Sequence, residues 1–260
     1  MNPWYIKKVT MGIIIKSYAD LIFHREIGEL IQKHSENKED IRNIAKHEIR
    51  GNKIHTLLDL GCGYGWFEES LEKKFDMIFG IDCLKENKKE FLRTAKKIAE
   101  KTIFTKMKLP LPINLPDESF DLIVSAYSLY FFPEIIPEVK RLLCSEGIFL
   151  VITHSESMLA EGEDFFDFSN LREIIRQFSA ENGEAVLKQY FNRITSIDYR
   201  NTLFFNKNDS SDLAAYIDFK KEFILRDMDP DIVKIRMLDE LKKKGSLRFN
   251  KDDRIFIAKK

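Results

Sequence analysis

Leu57-Leu58-Asp59-Leu60-Gly61-Cys62-Gly63-Tyr64-Gly65 is the stretch whose reading decides the fold. An apolar run with one acid in it, ending in closely spaced glycines, reads as a parallel β-strand stopping at a tight turn. Glycine serves two purposes there. It accepts φ > 0 where the chain reverses, and without a Cβ it lets a ligand lie against the backbone. Beyond the turn, Trp66 to Glu72 predicts a helix with Trp66, Phe67, Ser70 and Leu71 on one side. The first N–H groups of such a helix would point at the ligand. Phe75 to Ile81 predicts a second strand ending at Asp82, seventeen residues beyond Gly65, which is room for one helix and one turn. An acid at that position is where nucleotide-binding α/β domains hold ribose hydroxyls. The pair therefore proposes a ligand with an adenosine-like half. The bland alternative is a glycine turn that binds nothing.

Asp59-x-Gly61-x-Gly63-x-Gly65 followed by Asp82 resembles the class I S-adenosylmethionine (SAM)-dependent methyltransferase family. Dinucleotide-binding dehydrogenases carry Gly-x-Gly-x-x-Gly instead, and Trp66 stands where that fingerprint takes a small residue. A second stretch resembles the same family: Leu115 to Ser125, LPDESFDLIVS, a turn followed by a fourth strand over Phe120 to Val124. The resemblance covers about residues 55–155. It implies an α/β fold with a Rossmann-like, seven-stranded, mostly parallel sheet, helices on both faces and the last strand antiparallel. It implies SAM as cofactor, with S-adenosylhomocysteine as its product. It places cofactor contacts at Asp59, Gly61, Cys62, Gly63, Gly65, Asp82, Cys83, Met107 and Ser125. It also implies one domain over residues 1–260. In that domain, N-terminal helices over about 1–52 and an insertion over about 207–246 close over the acceptor site, with Tyr18 lining the cofactor. Two departures stand out: Lys106-Met107 stands at the end of the third strand where relatives commonly carry an Asp, and Cys144-Ser145-Glu146-Gly147 replaces a Pro-Gly-Gly turn, keeping only the last glycine.

Composition sets bounds on partners and compartment. Lys+Arg and Asp+Glu are both 42, so the formal net charge is zero, which argues against a broad footprint for nucleic acid and leaves room only for a local basic patch. The three cysteines, Cys62, Cys83 and Cys144, form no Cys-x-x-Cys pair and suggest no disulfide framework. No His, Cys or acid spacing matches a metal site, so no metal is expected. Met11 to Ile15 is apolar, but Lys16 and Asp20 cut it far short of a membrane span. A cytoplasmic protein without membrane or nucleic-acid partners is the expectation.

Outside the motifs, apolar periodicity predicts helices around residues 18–31 and 41–49, 86–100, 133–143, 167–179 and 231–244. Ser210 or Ser211 could cap a further short helix bearing Tyr216. Thr102 to Met107 reads as the third strand and Ile148 to Thr153 as the fifth. Phe191 to Phe205 reads as one long strand, and Arg254 to Ala258 as the last.

In open α/β sheets, ligands sit at the carboxyl ends of the strands. Tyr127 and Tyr130 follow the fourth strand, and His154 and Glu156 follow the fifth. Tyr127, Tyr130, His154 and Tyr216 are therefore the candidate contacts to an acceptor. His154 is the candidate base by its location and its titration range, with Tyr130 beside it as a second catalytic candidate. A core role for each remains the alternative. Three functions stay open: methyl transfer to O, N or C of a small molecule; SAM binding without transfer, as a scaffold or regulatory partner; and methylation of RNA or protein.

Overall fold

The computed structural model describes residue 12 and residues 21–72, 74–225 and 228–260. Tyr18 lies outside them. Nine strands run in chain order: β1 Thr56–Leu60, β2 Phe75–Asp82, β3 Ala99–Lys106, β4 Phe120–Ala126, β5 Leu143–His154, β6 Arg193–Tyr199, β7 Thr202–Asn206, β8 Ser246–Asn250 and β9 Asp253–Lys259. The chain divides into two compact units. One holds residues 39–156, 175–199 and 253–260, and the other holds 1–38, 157–174 and 200–252.

The first unit is built on a seven-stranded sheet of order β3-β2-β1-β4-β5-β9-β6. β3, β2, β1, β4 and β5 are mutually parallel, and β9 runs antiparallel to both β5 and β6. The expected seven-stranded, mostly parallel sheet with an antiparallel last strand is what forms. Its central strands are near-continuous apolar runs, as strands covered on both faces must be. Leu57, Leu58, Leu60, Ile123, Val124, Leu150 and Val151 are wholly buried. One face packs Ile41, Ala45 and Ile49 of helix Ile41–Ile49, together with Phe67, Leu71, Phe91 and Ala95. Asp40 caps that helix by accepting from the Arg42 N–H. The register aligns the carboxyl ends of β1, β4 and β5, with Asp59 opposite Val124 and Ala126 opposite Ile152.

The second unit pairs β7 with β8 in a two-stranded antiparallel sheet. Helices Leu21–His34, Ser210–Lys220 and Pro230–Lys244 belong to it. Gly245, at φ 79°, ends the last of these. The single strand expected over 191–205 is in fact two. Arg200 and Asn201 interrupt it, and β6 and β7 join different sheets. The Asp252 carboxylate accepts from the Asn201 N–H at 2.8 Å, and the Asn201 side chain accepts from the Thr202 N–H. These local bonds hold the backbone out of a ladder. No helix among the described residues is long and apolar enough to cross a membrane.

Candidate functional site

β1 hands the chain to the glycine loop. The N–H groups of Gly61 and Cys62 both donate to the Ile81 carbonyl, at 2.8 and 3.1 Å, which ties the loop to the end of β2. Gly61, Gly63 and Gly65 have φ of 77°, 52° and 88°, the left-handed region that favours glycine. The three are not equivalent. A Cβ on Gly61 would lie 2.5 Å from Ser128 Cβ, and one on Gly65 would lie 3.2 Å from Thr94 Cβ, so both positions are packed. Around Gly63 no described atom beyond its own chain neighbours lies within 4 Å of that point. Gly63 is the open position of the cradle.

Asp82 closes it. One carboxylate oxygen accepts from the Gly63 N–H at 2.9 Å and the other from the Leu84 N–H at 2.7 Å. Burial pushes this carboxyl up, and the backbone donors at Leu84 and Gly63 pull it back. The expected helix after the loop does not form. The chain turns through Trp66 and Phe67, makes one 3-10 turn over Glu68–Ser70 and extends at Leu71. Side chains hold the carbonyls that a continuing helix would have used. Arg42 Nη1 donates to Trp66 O at 2.8 Å, Ser70 Oγ to Phe67 O at 2.7 Å, and Lys46 Nζ to Ser70 O at 3.1 Å. The expected helix start is thus replaced by a single 3-10 turn.

The short turn carries Glu68 into the interior, 1% exposed, beneath the loop and beside Asp59, 2% exposed. No hydrogen bond from other described residues reaches Asp59 Oδ1 or either Glu68 oxygen. Burial, reinforced by the Glu68 charge, pushes the Asp59 carboxyl well above the usual range. Burial also pushes Glu68 up to about 7. Burial of two neighbouring carboxyls opposes the ionisation of both together.

At the ends of β4 and β5 stands an aromatic cluster. Tyr127 has φ 56°, an uncommon conformation for a bulky residue, with a cost on the order of 1–3 kcal/mol. Its N–H donates to Ile152 O at 2.8 Å. Its ring stacks on His154 with centroids 4.5 Å apart and lies 5.5 Å from the Trp66 ring. The ring of Tyr130, in the 3-10 turn Leu129–Phe131, is 5.9 Å from that of His154. Asp253, the first residue of β9, sits opposite His154 in the ladder. His154 Nδ1 is 2.7 Å from one Asp253 oxygen, and the Tyr127 hydroxyl donates to the other at 2.7 Å. Trp66 thus links the glycine loop to the cluster. The structure brings Tyr127, Tyr130 and His154 together, as expected from the two strand ends.

The Cys62 thiol points inward against Gly80, and its buried, acid-flanked position pushes its pKa well up. Ser125 Oγ is 2.6 Å from Ser128 Oγ, which donates to Leu60 O at 2.6 Å, so these hydroxyls staple β4 to β1. Cys83 is half-buried beside Asp82, and the Met107 N–H donates to Asp82 O at 2.8 Å. Glu156 pairs with Arg176 at 2.8 Å. Tyr216 is a core tyrosine of the second unit, 4% exposed and 5.9 Å from the Phe205 ring. Sequence reasoning missed Glu68, Trp66 and Asp253. Glu68 falls on the outer side of the helix that was expected, and Asp253 falls in Lys251-Asp252-Asp253-Arg254, which reads as a solvated charge run.

Comparison with known proteins supplies an independent line. Residues 58–151 match the family described as "Methyltransferase domain". The chain is 26% identical over 103 residues to YcgJ of Bacillus subtilis, called an uncharacterized methyltransferase. That match spans 38% of this chain and 41% of YcgJ, under half of the length of the curated relative. The crystal structure of YcgJ superposes with a TM-score of 0.55 at 18% identity, over 84% of this chain and 97% of that one. A Bacillus halodurans protein crystallised as a candidate methyltransferase gives 0.53 at 13% identity, again over 84% and 97%. At these identities the likeness is one of fold.

Proposed function

We propose that the protein belongs to the class I SAM-dependent methyltransferases and moves a methyl group from SAM to O, N or C of a small-molecule acceptor, a reading supported by the match of residues 58–151 to the family described as "Methyltransferase domain". The observation that carries this reading is the open cradle at Gly63, whose N–H is held by the Asp82 carboxylate. A backbone free of side-chain bulk beside a buried acid suits a ribose with two hydroxyls. Asp82 and the backbone from Gly61 to Gly65 would hold the cofactor, with Asp59 and Glu68 supporting the loop from below. When bound, the cofactor supplies a methyl group on a positively charged sulfur.

The chain's own residues do the rest. Tyr127 and Tyr130 wall the strand ends and position an acceptor, and alignment with exclusion of water supplies much of the acceleration. His154 is placed to take a proton from an acceptor that arrives with one.

Calorimetry tests the cradle. Gly63→Val should abolish binding of S-adenosylhomocysteine while the fold survives, and Asp82→Ala should weaken it by roughly 1–3 kcal/mol. Normal binding by Gly63→Val would make the loop merely structural. A second reading, cofactor binding without transfer, draws on Lys106 and Met107 standing where relatives carry an acid. Binding without turnover across a broad acceptor screen would select it.

A further inference from the structure

A buried carboxylate is costly unless donors satisfy it, and Asp253, with its side chain 3% exposed, has two from the same cluster. His154 Nδ1 lies 2.7 Å from Oδ1, and the Tyr127 hydroxyl donates to Oδ2 at 2.7 Å. A carboxylate can only accept, so Nδ1 carries the proton in this bond. The other ring nitrogen, Nε2, is then the basic one. The ring cannot turn freely, because Tyr127 and Tyr130 stack near it at 4.5 and 5.9 Å with interplanar angles of 24° and 26°. Tyr127 does not compete as a base. Burial and the Asp253 charge push its phenol well above the usual range, so it remains a donor. Among the described residues, the ionisable groups around His154 include Asp253 on β9, Tyr127 and Tyr130 after β4, and Tyr199 on β6, which feels the Asp253 charge. The nearby Glu156 is paired with Arg176, and Glu181 accepts from Ser155.

We propose that Asp253 is a positioning residue that fixes the tautomer and orientation of His154, and that the acceptor is therefore one whose nucleophilic atom reaches the site still bearing a proton, a hydroxyl or an ammonium group. The inference rests on the methyltransferase reading. An acceptor with a free lone pair and no proton to lose, such as a tertiary amine or a thioether, would need no such pair. In the step, the acceptor's O–H or N–H bond breaks and its proton goes to His154 Nε2. The electron pair left on the acceptor forms the bond to the methyl carbon, and the pair of the breaking carbon–sulfur bond stays on sulfur. One positive charge is lost from sulfur and one appears on the imidazole, which then releases its proton to solvent.

The first test is independent of turnover. Nitrogen-15 NMR of the histidine side chains, assigned with His154→Ala, should show His154 as the Nδ1–H tautomer in the wild-type protein. Asp253→Asn should redistribute the tautomers, because an amide can donate to Nδ1. A wild-type His154 with its proton on Nε2 overturns the proposal, whether or not Asp253→Asn folds. The second test is a screen of matched acceptors, alcohols, phenols and primary amines against tertiary amines and thioethers, read by S-adenosylhomocysteine formation. Turnover should be confined to the proton-bearing group, and turnover confined to tertiary amines or thioethers overturns the acceptor class. With an acceptor found, Asp253→Asn should lower kcat about 100-fold or more. It should also move the acidic limb of the pH–rate profile to lower pH, and leave the dissociation constant of S-adenosylhomocysteine unchanged. A wild-type profile in Asp253→Asn overturns the positioning role. Failure of the wild-type protein to bind SAM or its product removes the methyltransferase reading and the acceptor class with it. The tautomer result distinguishes that failure from a failure of the Asp253–His154 pair.

Discussion

Glu68 shows how far one side chain can depart from its sequence context. It lies in Trp66-Phe67-Glu68-Glu69, where helical spacing turns it to solvent, yet a 3-10 turn buries it under the glycine loop. Its carboxyl, ordinarily near 4.5, is raised to about 7 by burial. Between those two pH values the folded chain keeps a proton that the unfolded chain gives up. This group's contribution to stability is therefore full below about 4.5 and is lost as pH rises through 7. Glu68→Gln should flatten that slope and raise stability at pH 8 by about 1–3 kcal/mol, measured by urea denaturation across pH 5–8. A slope unchanged in the variant would assign the pH dependence elsewhere, with Asp59 first in line. Gly63, Asp82, Tyr127 and His154 are legible in the sequence because each ends an apolar run at one sheet edge. Asp253 is not, because only the antiparallel register of β9 on β5 sets it opposite His154.

Elements follow their apolar patterns where burial decides them, and depart where polar side chains compete for the backbone. Strands β1, β4 and β5 lie within or around the runs that predict them. The 66–72 helix and the 191–205 strand fail at Ser70 and Asn201, whose side chains satisfy the main chain locally. In the second unit, helix Leu21–His34 ends at a histidine that no spacing rule singles out. His34 Nε2 lies 2.7 Å from Asp212 and Nδ1 3.1 Å from Phe204 O, while its ring stacks on Phe205 at 4.4 Å. Asp209 stands 4.0 Å from Nδ1, and Lys33 Nζ is 2.6 Å from Asp212. Residues 34, 209 and 212 come close enough together to hold a metal ion, which linear spacing did not foresee. The carbonyl and carboxylate facing the two ring nitrogens explain the geometry as a hydrogen-bonded clamp joining helix Leu21–His34, β7 and helix Ser210–Lys220. His34→Ala should destabilise the second unit by about 2–4 kcal/mol through loss of packing and both bonds. Hydrogen exchange that is fast in residues 200–252 and unchanged in β1, β4 and β5 would localise the effect.

At the scale of the whole molecule, charge balance argues about partners and topology about assembly. Forty-two basic and forty-two acidic residues leave no net positive charge to release counterions from a polynucleotide. Fluorescence anisotropy with single- and double-stranded RNA should therefore show only weak, salt-sensitive binding at physiological ionic strength. A tight complex there would move RNA from a minor alternative to the leading acceptor class. The sheet is legible from its motifs, but the division into two units is not. Each unit is stitched from three separated segments, and local periodicity cannot say which segments share a core.

The place of β9 between β5 and β6 has a consequence for how the protein is made. A ribosome delivers β6 more than fifty residues ahead of the strand that pairs with it, with β7 and β8 emerging in between. Until then β5 and β6 both present an open edge, a surface that invites pairing with other nascent chains. The glycine loop and Asp82 are complete long before this point, whereas His154 waits for Asp253. A chain stalled before residue 253 would therefore carry a finished cradle and a histidine without its carboxylate. Slow codons or chaperone dependence should matter most across residues 200–252, and arrested chains of that length should aggregate where full-length ones do not.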